Sequence, residues 1–270
     1  MKRVVLAVLV GAAAFVALAF LVLPVVAIFL HTTPGHLIDQ LSSSVVKDAF
    51  VVTLETSLIA QALIVLLGTP TAYLLATRSF RARPLAITLV ELPLVLPPAV
   101  AGIGLLTAFG RSGLLGTSIP FTQTAVVMAV AFVSSPLYIR QAIAAFETVD
   151  PDLVAASRTL GAGTVRTFVR VILPLARAGL AAGLALSIAR GIGEFGATIV
   201  FAGSVRGETQ TLTLGIYEQL DSEFDQALAI GILLVVLSAT VLVSYKLIST
   251  WRSSSSTSPS PFARTSSPSR

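Results

Sequence analysis

Two opposite charges stand where an apolar chain accommodates them least. In Ala189-Arg190-Gly191-Ile192-Gly193-Glu194-Phe195-Gly196-Ala197-Thr198, Arg190 and Glu194 are four residues apart, which on a helix puts them on one face. Charges at membrane depth turn toward a bundle interior or a water-filled path and pair there. Gly193, Gly196 and Gly191 permit close helix approach. The chemistry on offer is electrostatic: a guanidinium presents donors to an anion, so Arg190 is a candidate transient anion contact. A structural ion pair at a subunit interface satisfies the same two residues.

A second set is Leu92-Pro93-Leu94-Val95-Leu96-Pro97-Pro98-Ala99-Val100-Ala101-Gly102-Ile103-Gly104. Each proline removes an amide donor and clashes with the preceding turn, so the span bends or breaks near Pro97 and Pro98. Freed carbonyls in a bilayer need partners, found where backbone is buried in protein or lines a wet cavity. Broken spans present backbone dipoles to a substrate; a packed structural kink is the equal alternative. A third set is polar. From Asp150 to Pro174 apolar and basic residues alternate at roughly helical spacing, which predicts a folded amphipathic helix between two apolar runs and a partner that docks on it.

Other chemistries are missing from the sequence. It contains no Gly-x-x-x-x-Gly-Lys-Ser/Thr loop, and no lysine follows a glycine, so nothing here cradles a nucleotide. His31 and His36 belong to no ligand cluster and read as solvated loop residues. No Ser/His/Asp grouping carries a nucleophile signature. Cysteine is absent, which removes disulfides and thiolate metal sites. The expectation is a non-enzyme whose transport energy comes from a partner or an ion gradient.

The elements that position these residues follow from composition. The chain is 55% apolar and 11% charged, the balance of an integral membrane protein. A helix needs about 20 apolar residues to cross a ~30 Å core, and six segments qualify: near 4–30, 50–77, 86–109, 121–146, 176–203 and 226–249. The first run is too long for a signal peptide and reads as a retained span. With the amino terminus inside, Lys2, Arg3, Arg78, Arg81, Arg83, Arg158, Arg166, Arg170, Arg177, Lys246 and Arg252 are cytoplasmic. Only Lys47, Arg111 and Arg206 lie outside, beside Asp39, Asp48, Glu208, Asp221, Glu223 and Asp225. That bias predicts an N-in, C-in topology, so the basic isoelectric point reports orientation rather than nucleic-acid binding. Residues 1–251 form one transmembrane domain, with the polar loop at about 147–175, and the Ser/Pro-rich residues 252–270 read as a disordered cytoplasmic tail.

Ala155-Ala156-Ser157-Arg158-Thr159-Leu160-Gly161, followed by Leu173-Pro174, resembles the EAA loop of ABC importer permeases. The resemblance implies that Ala155, Ala156, Arg158, Gly161, Leu173 and Pro174 belong to a coupling element that inserts into an ATPase subunit. It departs from the family at Val154 and Ala155, where no Glu stands; the nearest acids are Asp150 and Asp152. Pro97-Pro98-Ala99-Val100-Ala101-Gly102, Phe109-Gly110-Arg111-Ser112-Gly113-Leu114-Leu115-Gly116, Gly193-Glu194-Phe195-Gly196-Ala197-Thr198 and Gly207-Glu208-Thr209-Gln210-Thr211-Leu212 narrow it to the molybdate or tungstate permeases, over roughly residues 45–245. Gly-Glu-Phe-Gly also resembles sulfate and thiosulfate permeases, which stay as the alternative.

What the resemblance implies is an all-α membrane protein of the type I importer fold with six transmembrane helices. It would pair with a second copy of itself, with two ATPase subunits beneath and an oxyanion-binding protein outside. ATP and magnesium would be bound by the ATPase, and this chain would hold no cofactor, metal or catalytic residue. Pro97, Pro98, Arg190, Gly193, Glu194, Phe195 and Gly196 would form the pathway or gate. From the residues alone, a gradient-driven carrier using the Arg190–Glu194 pair is the competing class; the amphipathic loop argues against it.

Overall fold

A computed structural model describes residues 2–254. Among them the regular structure is helical: α1 (Lys2–Leu30), α2 (Pro34–Leu41), α3 (Ser44–Thr77), α4 (Arg83–Val95), α5 (Pro98–Phe109), α6 (Gln123–Glu147), α7 (Pro151–Thr159), α8 (Thr164–Thr167), α9 (Leu173–Ile192), α10 (Gly196–Phe201), α11 (Leu212–Gln219) and α12 (Phe224–Ser254). A π-helical segment, Phe168–Ile172, joins α8 to α9. The expected tail boundary at residue 252 falls inside α12, and residues 255–270 lie outside the described residues.

Among the described residues five helices are long and apolar enough to cross a membrane, and α4 with α5 makes a sixth span bent by 114°. That pair traverses rather than turns back. At its start Arg83 bonds Glu147 at the end of α6, 2.6 Å away. At its far end the loop after Phe109 reaches Phe121, whose amide donates to the Phe201 carbonyl beside the start of α6. The bend falls at Leu96-Pro97, where Leu96 and Pro97 are extended. The prolines therefore break the span outright.

The core is α3, α6 and α9. Lipid is as apolar as leucine, so helices in a bilayer associate through close packing and polar contacts. Ala49, Ala60, Ala72, Ala125, Ala129, Ala142 and Ala176 are all nearly solvent-free. Hydroxyls stitch the same helices: Thr69 to the Tyr138 hydroxyl at 2.6 Å, and Ser187 to the Ser134 carbonyl at 3.1 Å. None of α1 is buried, and it leans on α12.

The two ends sort the loops as the charge bias predicts. One end gathers Arg206 with Asp48 at 3.1 Å and Gln226 with Ser43 at 2.9 Å; the other gathers Arg83, Glu147 and α7. Two outer regions expected as loops are partly helical, as α2 and α11. His36 is not merely solvated: its Nε2 meets Asp225 Oδ2 at 3.0 Å, and His31 packs edge-on to Phe224.

The fifth span needs correction at both ends. It begins at Thr164, because Val165, Phe168, Val171 and Ile172 continue its apolar surface, and it stops at Ile192 instead of running to 203. Pro174 lies inside it. Pro174 has no amide to donate, and the wider π turn just before it, closed by the Leu173 amide on the Phe168 carbonyl, absorbs that loss without ending the helix.

Candidate functional site: two broken spans joined to a cytoplasmic helix

The third and fifth spans meet where each is broken. A β-carbon on Gly196 would lie 2.5 Å from Pro98 Cβ, and one on Gly102 would lie 2.7 Å from Val200 Cβ and 2.8 Å from the Ala197 carbonyl oxygen. Real β-carbons do not approach so closely, so α5 and α10 touch only because these positions are glycine. Pro98 and Gly196 are thus in contact, while Pro97 lies in the break of the third span and Gly193, Glu194 and Phe195 lie in that of the fifth.

Arg190 and Glu194 pair, but not along one helical face. The helix ends at Ile192, and Glu194 lies beyond it in the break. Arg190 Nη1 stands 2.6 Å from Glu194 Oε2, with the Glu194 side chain 1% exposed and that of Arg190 33%. The other carboxylate oxygen accepts the Ala197 amide at 2.8 Å, and the Glu194 carbonyl accepts the Thr213 hydroxyl at 2.7 Å. Each charge sits at the helix end that favours it: Arg190 in the last turn of α9, Glu194 at the first turn of α10. The pair closes the break, so the Arg190 guanidinium is already engaged by a carboxylate.

Several contributors escaped the sequence reading. Phe195 packs on Tyr217 of α11, ring centres 5.3 Å apart. Thr53 of α3 accepts the Leu212 amide at 2.8 Å and donates to the Ala49 carbonyl at the same distance. Thr209, Gln210 and Thr211, noticed only as a marker of resemblance, are buried; the Thr209 hydroxyl accepts the Val205 amide at 2.9 Å. A legible signal existed for α3, where Thr53, Ser57 and Gln61 recur every four residues in an apolar run.

On the cytoplasmic side the expected amphipathic helix is short. Asp150 caps α7 by accepting the Asp152 amide at 2.9 Å, and Pro151 starts it. Its end is a Schellman turn: the Gly161 amide reaches the Arg158 carbonyl and the Ala162 amide the Ser157 carbonyl, each at 3.0 Å, with Gly161 at φ +83°. Ala155, Ala156 and Arg158 are exposed on α7, while Leu173 and Pro174 stand apart from them at the start of α9. The Ser157 and Thr167 hydroxyls, 3.0 Å apart, tie α7 to α8, and Thr167 is 1% exposed. Tyr73, Phe146 and Phe168 cluster at this end, with Tyr73 5.5 Å from Phe146 and 5.0 Å from Phe168. A cavity of about 380 Å³ opens between that cluster and α7, lined also by Glu147, Val154 and Arg158. Thus α7 is bonded to a helix whose opposite end is the break at Glu194.

Residues 64–253 match the family model for "binding-protein-dependent transport system inner membrane component". The chain is 39% identical over 237 residues to the molybdenum transport system permease protein ModB of Mycobacterium tuberculosis, covering 85% of this chain and 90% of that one. It is 36% identical over 212 residues to ModB of Escherichia coli K12, covering 76% and 92%. In fold it is similar to a chain of a bacterial alginate ABC transporter solved in complex with an alginate-bound periplasmic protein, with a TM-score of 0.72, 15% identity, and coverage of 92% and 94%. The expected fold of an ABC importer permease therefore stands.

Proposed function

Because this chain belongs to the family of inner membrane components of binding-protein-dependent transport systems, we propose that it is the non-catalytic membrane subunit of an ATP-driven importer of molybdate or tungstate. Relatives named as molybdenum permeases, matched over most of both chains, support the substrate class. The observation that carries the mechanism is one physical connection: α7, anchored by Ser157 and Thr167, continues through a single helix to the break where Gly196 meets Pro98.

In this mechanism the α7 face carrying Ala155, Ala156 and Arg158 docks on an ATPase subunit, which binds ATP and magnesium. A second copy of the chain completes the pathway, since six spans are few to enclose one, and an extracytoplasmic binding protein delivers the anion. Closure of the ATPases displaces α7; the displacement passes through α8 and the π segment into α9 and shifts α10 against α5. Leu173 and Pro174 act inside that lever rather than at the docking surface. Arg190 keeps the buried Glu194 neutralised while the gate moves. The mechanism requires no cofactor in this chain.

Uptake of labelled molybdate into proteoliposomes holding this chain, its ATPase and its binding protein tests the reading. Uptake that needs ATP and is blocked by excess tungstate but not by sulfate is expected. Uptake without ATP, or blockage by sulfate, would sink it.

A further inference from the structure

The outer end of the gate carries a cation that the mechanism leaves unused. Arg111 lies in the loop after α5 and lines a cavity of about 530 Å³ with Leu106, Ser112, Ser118, Pro120 and Phe121. Of the outer cations, Arg206 is held by Asp48 and Ser44. Among the described residues the Arg111 guanidinium has no ion pair or hydrogen bond, and the hydroxyls of Ser112 and Ser118 donate to no protein group. The remaining outer charges are mostly acidic, which makes an unpaired guanidinium beside two free hydroxyls conspicuous.

The loop that presents them is fastened down. A bare helix C-terminus repels anions, yet the last carbonyls of α5 are covered. The Gly110 amide donates to the Leu106 carbonyl at 2.7 Å, Leu114 to Thr107 at 3.0 Å and Leu115 to Ala108 at 2.9 Å, while the Thr117 hydroxyl bonds the Phe109 carbonyl. At the loop's other end Phe121 is held at φ +64°, its amide bonded to the Phe201 carbonyl at 3.3 Å. The cavity is therefore framed by the outer ends of α5 and α10, the two helices that meet at Pro98 and Gly196.

We propose that Arg111, Ser112 and Ser118 form a transient landing site for a tetrahedral dianionic oxyanion, the first contact of the cargo with this chain before the gate. The inference rests on the importer reading above. A guanidinium supplies paired charge-assisted donors to oxyanion oxygens, and the hydroxyls supply neutral ones. With a water occupying about 30 Å³, the cavity admits the anion with part of its hydration shell. The site is open, so binding is weak, as release onward requires. Phe121, 58% exposed, adds apolar surface to its lining.

The absence of cysteine from the chain allows a direct readout. Ser118→Cys in the assembled importer, in nanodiscs without binding protein, is labelled by a small methanethiosulfonate reagent with and without millimolar molybdate at constant ionic strength. Molybdate should slow labelling by about 3-fold or more, and Arg111→Gln in the same chain should abolish the protection. Equal rates with and without molybdate, or protection that survives Arg111→Gln, overturn the site. Protection that appears only with binding protein, whether or not it carries anion, also overturns it, since Arg111 would then bind an acidic protein surface. Protection by sulfate and not molybdate supports the oxyanion site while refuting the molybdate reading. Molybdate uptake by the unmodified importer tests that reading independently of the site.

Discussion

Pro98 and Gly196 face one another across two interrupted spans so closely that a β-carbon on Gly196 would lie 2.5 Å from that of Pro98. Both spans are interrupted here, the third with a bend of 114°, so a small shift of one moves the other. Gly196→Ala should cost about 1–3 kcal/mol through overpacking and lower molybdate uptake. Pro98→Gly removes the opposing carbon, so the double variant should recover part of the loss, read as a non-additive cycle of melting temperature and uptake. Wild-type behaviour of Gly196→Ala would remove the contact from the mechanism.

The Arg190–Glu194 pair predicts an asymmetry. Arg190→Gln strands a carboxylate that is 1% exposed, and breaking such a pair costs about 3–5 kcal/mol. Glu194→Gln leaves an oxygen for the Ala197 amide and releases an arginine that already reaches water, so it should be clearly milder. Thermal unfolding of the purified permease compares them; equal losses would contradict the clasp described here.

Gly161 matters through its backbone rather than its surroundings. Nothing lies within 4 Å of a β-carbon placed there, yet its φ is +83°. A bulky residue should cost about 1–2 kcal/mol of turn geometry, and Gly161→Leu should leave ATP hydrolysis running while uptake falls. Gly161→Asn, which tolerates that conformation, should retain coupling. Full coupling in Gly161→Leu would refute the role assigned to the turn.

The Ser157–Thr167 hydroxyl contact, at 3.0 Å, is the strap between α7 and the span. Ser157→Ala and Thr167→Val should each reduce binding-protein-stimulated transport per ATP hydrolysed. A double-mutant cycle should return a coupling of about 1 kcal/mol. Additive effects would mean that the displacement reaches the span by another route.

Much of this was readable along the chain, and the limits are instructive. Pro97-Pro98 announced a break because proline's missing amide acts within one turn, wherever the rest of the protein lies. Asp150-Pro151 at the start of α7 and Gly161 at its end are equally local signals, which the amphipathic pattern from Asp150 to Pro174 did not resolve into a nine-residue helix. The fifth span misled: Arg190 and Glu194 at a four-residue spacing looked like one helical face, yet the helix ends between them. Propensity at Gly191 and Gly193 made a stop possible; the Ala197 amide, the Thr213 hydroxyl and the Tyr217 ring made it stable, and two of those three residues are distant in sequence.

Composition and charge by themselves determined that this is a six-span membrane protein of fixed orientation, because hydrocarbon thickness and the distribution of basic residues act on each segment separately. Local steric rules placed the break in the third span. The tertiary structure alone decided that Gly196 meets Pro98, that Glu194 is closed over by Arg190 and that α7 is strapped to the fifth span. It also left Arg111, in the loop after α5, without an ion pair among the described residues. Those facts depend on which helices pack together, and in a bilayer that choice is made by close fit and by polar partners far apart in the chain, which no local pattern encodes.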